Sequence, residues 1–110
     1  MSLVVVDARN VLRSEWPNIP EEELVAAVRA WAAEHGHEPL IVFDGRAPEG
    51  AVGSGRESAD DWIARETASL DRPYWLVTSD RELRERAGAR AERVVGGGSF
   101  ARELRRFRTG

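Results

Sequence analysis

The chain has 110 residues, no cysteine, and a formal net charge of −3 from 16 basic and 19 acidic residues. Without cysteine, disulfides and thiolate metal sites are excluded and a cytoplasmic location is expected. The acidic balance argues against a polycation that coats nucleic acid, though it says little about a local patch. The length suits one domain, residues 1–110, with one core. No apolar run has the length needed to span a bilayer, and Met1-Ser2 leads directly into a strand-like segment, so neither a membrane span nor a signal peptide is expected. All the basic residues are arginine. Genomic base composition explains that bias more simply than a demand for bidentate phosphate contacts.

The first strand is predicted over Leu3–Val6, a short unbroken apolar run of the kind buried on both faces. Asp7 follows at once, and Asn10 is placed to cap a short turn reaching about Ser14. Two prolines make Trp16-Pro17-Asn18-Ile19-Pro20 a rigid connection, with Trp16 either anchoring the loop or stacking on a base. Pro20 opens a helix, Glu21, Glu22 and Glu23 sit at its positive end, and Leu24, Val28, Trp31 and Ala32 form its buried stripe. Gly36 ends it.

Pro39–Phe43 is the second strand. Asp44 to Arg56 is glycine-rich loop, in which only Ala51-Val52 has strand character. Ser58 caps the next helix, with Asp61 in capping-box register. A third strand spans Tyr74–Val77, and Thr78 or Ser79 caps the helix after it. Glu92–Val95 is the fourth strand, Gly96-Gly97-Gly98 a turn, and Ser99 the cap of a last helix ending in Arg102, Arg105, Arg106 and Arg108. Alternating strands and helices imply a three-layer α/β/α sandwich around a mostly parallel four-stranded sheet.

Three strand-like runs end in an acid: LVVVD at Asp7, LIVFD at Asp44 and WLVTSD at Asp80. In a parallel sheet these emerge along one edge, the carboxyl edge where open α/β sheets bind ligands. Asp60 and Asp61, in the first turn of a helix, face the same edge if the crossover is right-handed. Taken singly, each Asp is more simply a turn former or helix cap. Taken together, the five favour a functional cleft. Crowded carboxylates need protons or a cation to compensate them, and an all-oxygen set suits Mg²⁺ or Mn²⁺. Arg9, Arg13, Arg46, Arg56 and Arg81 lie on or near that edge and are candidates for binding phosphate. His35 and His37 flank Gly36 away from it, and Trp31, Trp62 and Trp75 have core-like spacing.

The ordered set D-x-x-N (Asp7, Asn10), FDG (Asp44), SADDWI (Asp60, Asp61) and VTSD (Asp80) resembles the NYN domains of the YacP-like branch, within the PIN-like nuclease superfamily. The resemblance runs from Leu3 to about Leu104. It implies a PIN-like fold and a Mg²⁺- or Mn²⁺-dependent endoribonuclease. Metal binding would fall on Asp7, Asp44, Asp60, Asp61 and Asp80, with Asp7, Asp44, Asp61, Asp80 and Asn10 in the catalytic centre. Of the arginines near that edge, Arg9, Arg46, Arg56 and Arg81 are the candidates for contacting RNA. It also implies RNA-processing partners, the ribosome among them. Departures from the pattern are Ala8 and Arg9, where the family usually has a glycine and an aromatic or aliphatic residue, the shrunken strand at Ala51-Val52, and the end at Gly110, so a trimmed PIN-like domain is expected. Two other readings stay open: a non-catalytic RNA- or protein-binding module on the same fold, and another metal-dependent phosphoesterase or phosphotransferase.

Overall fold

The computed structural model describes residues 1–15 and 19–109, so Trp16 lies outside the described residues. The elements in chain order are β1 (Leu3–Asp7), α1 (Ala8–Glu15), α2 (Glu21–His35), β2 (Glu38–Phe43), β3 (Val52–Gly53), α3 (Ala59–Ala68), β4 (Tyr74–Val77), α4 (Arg81–Ala87), β5 (Arg93–Val95) and α5 (Gly97–Thr109). Gly36 takes the left-handed conformation (φ 71°) that closes α2, as a glycine after the last turn allows.

The sheet is wholly parallel, in the order β3-β2-β1-β4-β5. It has five strands where the sequence predicts four. The extra one is β3, Val52 and Gly53 pairing with Val42 and Phe43. A two-residue strand in a glycine-rich loop carries no apolar run to announce it. Gly53 fits there because it lacks a side chain: a Cβ would stand 2.3 Å from the carbonyl oxygen of Gly45.

The central strand is buried on both faces, with Val4, Val5 and Val6 fully enclosed. Alternation sorts its side chains into two cores. Val4 and Val6 join Ile41, Phe43, Val11, Val28, Trp31, Phe100 and Leu104 under α1, α2 and α5. Leu3 and Val5 join Val42, Ile63, Leu76 and Leu83 under α3 and α4. Each fully buried valine or leucine contributes roughly 1.5–3 kcal/mol, so the strand that delivers Asp7 is the best anchored part of the fold. The chain moves outward from β1 to β2 and β3, then returns to its other side as β4 and β5. Strand order reverses at β1, and such a reversal opens a crevice beyond the carboxyl ends of the strands. Among the described residues, no helix is long and apolar enough to cross a membrane.

Candidate metal and nucleic-acid cleft

Three of the aspartates are fixed by the starts of helices. Asp7 ends β1, directly before α1, and its carboxylate accepts the backbone N–H of Asn10. Asp44 follows β2, and its Oδ1 accepts the N–H of Ala59 at the start of α3, 2.9 Å away. Asp80 is the N-cap of α4, its Oδ1 accepting the N–H of Leu83 at 3.0 Å. The cap role and the cleft role therefore coincide: orphan N–H groups at a helix start both orient a carboxylate and favour its charge. Asp60 sits in the first turn of α3, which Ser58 caps by accepting the N–H of Asp61 at 3.0 Å.

Asp7, Asp44, Asp60 and Asp80 line one cleft of about 330 Å³ together with Ser58, Arg9 and Arg13. Asp7 is its most buried acid, 5% exposed. Burial is the main reason its carboxyl is pushed up to about 6 from the ordinary 3.8, with the charges of Asp60 and Asp44 adding to it. The hydrogen bonds from Thr78 and Asn10 oppose that rise. The Asp60 carboxyl is also raised, by its own desolvation first and then by Asp80 and Asp44. The cleft thus concentrates negative charge that its own groups do not fully offset.

Asp61 is not part of this wall. Its carboxylate accepts from the Arg86 guanidinium at 2.8 Å, is 56% exposed, and is held below the usual carboxylate range by that contact. It follows Asp60 by one helical position, and adjacent positions on a helix face about 100° apart. Of the arginines, Arg9 reaches Asp44 (Nε to Oδ2, 3.3 Å) and Arg13 lines the cleft one turn further along α1. Arg46, Arg56 and Arg81 are exposed and do not line it.

Several expected caps are reassigned. Asn10 lies inside α1, and its Oδ1 accepts the N–H of Ser79 at 2.9 Å, binding α1 to the loop after β4. Asp80, rather than Thr78 or Ser79, caps α4. The Ser79 hydroxyl accepts the N–H of Gly97 at 2.8 Å. The last helix begins at Gly97 within the predicted turn, so Ser99 lies inside it. A Cβ at Gly97 would meet Asn10 Oδ1 at 2.2 Å, so a side chain there would have to displace the amide that holds Ser79.

Thr78 is the residue the sequence reading undervalued. Fully buried, it donates its hydroxyl to Asp7 Oδ2 at 3.0 Å and accepts the N–H of Asp80 at 3.1 Å, so one side chain spaces two of the cleft acids. Its carbonyl accepts from Arg84 Nε at 2.9 Å. The available signal was a hydroxyl placed between a buried strand and the acid of VTSD. At the opposite edge, His35 and His37 stack on Trp31, and His35 Nδ1 lies 2.8 Å from the Trp31 carbonyl oxygen.

The donor chemistry of the cleft fits a hard divalent cation: oxygen atoms only, with net negative charge to neutralise. Among the described residues, no three of the His, Cys, Asp and Glu side chains form a group that could hold a metal ion by themselves. The fit is therefore to an ion that one or two carboxylates hold while it keeps much of its water, the usual habit of Mg²⁺.

This fold, a five-stranded all-parallel sheet with helices on both faces, has counterparts among solved structures. No protein-family model matches the chain, and no curated protein sequence does. Solved structures of Rae1 (YacP) from Bacillus subtilis share the fold. The W164L mutant superposes with a TM-score of 0.78 at 17% identity, covering 99% of this chain and 78% of that one. A second Rae1 structure gives 0.73, also at 17% identity, covering 99% and 76%.

Proposed function

We propose that the chain is a Mg²⁺- or Mn²⁺-dependent endoribonuclease that hydrolyses RNA phosphodiester bonds in the cleft around Asp7. The observation that carries this reading is a buried carboxyl raised to about 6 among three further acids, at the point where strand order reverses. The motif resemblance and the fold shared with Rae1 (YacP) support the same reading.

In it, the cation sits in the cleft that Asp7, Asp44, Asp60 and Asp80 line, held by one or two of these carboxylates and otherwise by water. When bound, the cation would acidify a water and offset charge on the phosphate. Asp7 is mostly ionised above pH 6, so at neutral pH it is available to bind the cation. Arg9 and Arg13, four residues apart on one face of α1, supply the cationic side of the cleft for phosphate. Thr78 and Asn10 hold the acids in place from behind. Asp61 acts only on Arg86 and the start of α3.

The test incubates the protein with single-stranded and structured RNA in Mg²⁺, Mn²⁺ or EDTA. Metal-dependent cleavage is expected, and cleavage that persists in EDTA contradicts the proposal. Retention of uncut RNA under every condition favours the binding module, and turnover of phosphomonoesters above that of RNA favours a phosphoesterase.

A further inference from the structure

Arg9 has a position that a plain phosphate-binding arginine does not need. Its Nε stands 3.3 Å from Asp44 Oδ2, inside the carboxylate cleft. The other oxygen of Asp44 accepts the Ala59 N–H. Asp44 therefore gives up its bond to the first N–H of α3 if it swings out of the cleft, and Oδ2 is its exchangeable oxygen. The Arg9 side chain is 57% exposed and that of Asp44 36%, so water screens the pair and it is easily broken.

A cation that takes Asp44 Oδ2 has to displace the guanidinium already there. A freed Arg9 remains tethered at the first turn of α1, beside Asp7, and its planar fork matches the oxygens of a phosphate. We propose that Arg9 is an exchangeable internal cation, which occupies Asp44 until a divalent ion takes that oxygen and then turns to a phosphate of the RNA. The inference rests on the metal-dependent reading above and adds an order to it: cation first, RNA second. Cation and RNA then bind cooperatively through one side chain, and such coupling is reciprocal.

The experiment measures Mn²⁺ affinity at pH 7.5 from the electron paramagnetic resonance signal of free Mn²⁺, in the wild type, Arg9→Ala and Arg72→Ala. Arg72 pairs with Glu38 at the start of β2, at the amino edge of the sheet, so its loss removes the same charge far from the cleft. Arg9→Ala is expected to tighten Mn²⁺ binding about tenfold, the scale of one unit charge removed from within a few ångströms. Arg72→Ala should leave it within about twofold, as expected of a screened distant charge. Fluorescence anisotropy of a phosphorothioate RNA supplies the second readout. Mn²⁺ should strengthen binding of that RNA to the wild type and lose most of this effect in Arg9→Ala.

Unchanged Mn²⁺ affinity in Arg9→Ala, or an equal gain in Arg72→Ala, overturns the exchange while leaving the metal reading in place. Absence of Mn²⁺ binding in the wild type and in Arg9→Ala overturns both. Binding by Arg9→Ala alone supports the exchange most strongly.

Discussion

Asp7 combines two demands that conflict. The fold buries it at the end of its best-packed strand, and the proposed chemistry needs it ionised. The conflict has a measurable sign. In the unfolded chain this carboxyl titrates near 3.8, and in the folded protein near 6. Below pH 3.8 its favourable contribution is fully present. As pH rises through that window the unfolded chain releases the proton first, so stability falls until the folded group also ionises near 6, a loss of about 3 kcal/mol. Asp7→Asn should therefore raise the urea midpoint at pH 7.5 and have much less effect near pH 4. A variant equally or less stable than wild type at pH 7.5 would contradict the assigned cause. Cation binding should show the opposite trend with pH, strengthening from pH 5 to 7 as Asp7 loses its proton, which a Mn²⁺ titration checks. Gly97 gives a purely steric prediction. Gly97→Ala places a methyl group against Asn10 Oδ1 and should destabilise by about 1–3 kcal/mol in chemical denaturation.

At the scale of elements, the site is a set of helix starts arrayed along one sheet edge. The capping residue Ser58 orients the first turn that carries Asp60, so Ser58→Ala should cost about 1 kcal/mol of stability and lower cleavage through Asp60. How far this was legible in the sequence depended on length and pattern. The apolar runs ending in Asp7 and Asp44, and the LVTSD phrase, marked three strands and their acids because a buried parallel strand is nearly all apolar. β3 showed only as the remnant Ala51-Val52 and was not counted as a strand, because two residues carry no periodicity. Capping atoms were misassigned where several candidates stood together, as in Thr78-Ser79-Asp80, since the choice depends on which backbone N–H the turn presents. Asp60 and Asp61 were equivalent in sequence. Only the rotation of α3 separates them, setting one in the cleft and the other on Arg86. Thr78 and Gly97 act through contacts across 71 and 87 positions of chain with Asp7 and Asn10, beyond the reach of local pattern.

For the whole molecule, a net charge of −3 means that affinity for RNA has to be local. If Arg9 and Arg13 supply the phosphate contacts, log affinity for a single strand should fall with log salt at a slope of about −1.4, two contacts' worth. A slope near −3.5 would instead bring Arg46, Arg56 and Arg81 into the footprint. If RNA is cut in the cleft, the reaction needs Asp7, which lines it, and not Asp61, which does not. The most direct measurement is the single-turnover cleavage rate of an end-labelled RNA in Mn²⁺ by Asp7→Asn and Asp61→Asn, each against wild type. A fall of about 100-fold or more is expected for Asp7→Asn, the scale of losing a group that acts on the reacting atoms, with Asp61→Asn within about threefold of wild type. Equal rates for Asp7→Asn and wild type, or a loss in Asp61→Asn as deep as that in Asp7→Asn, would contradict it.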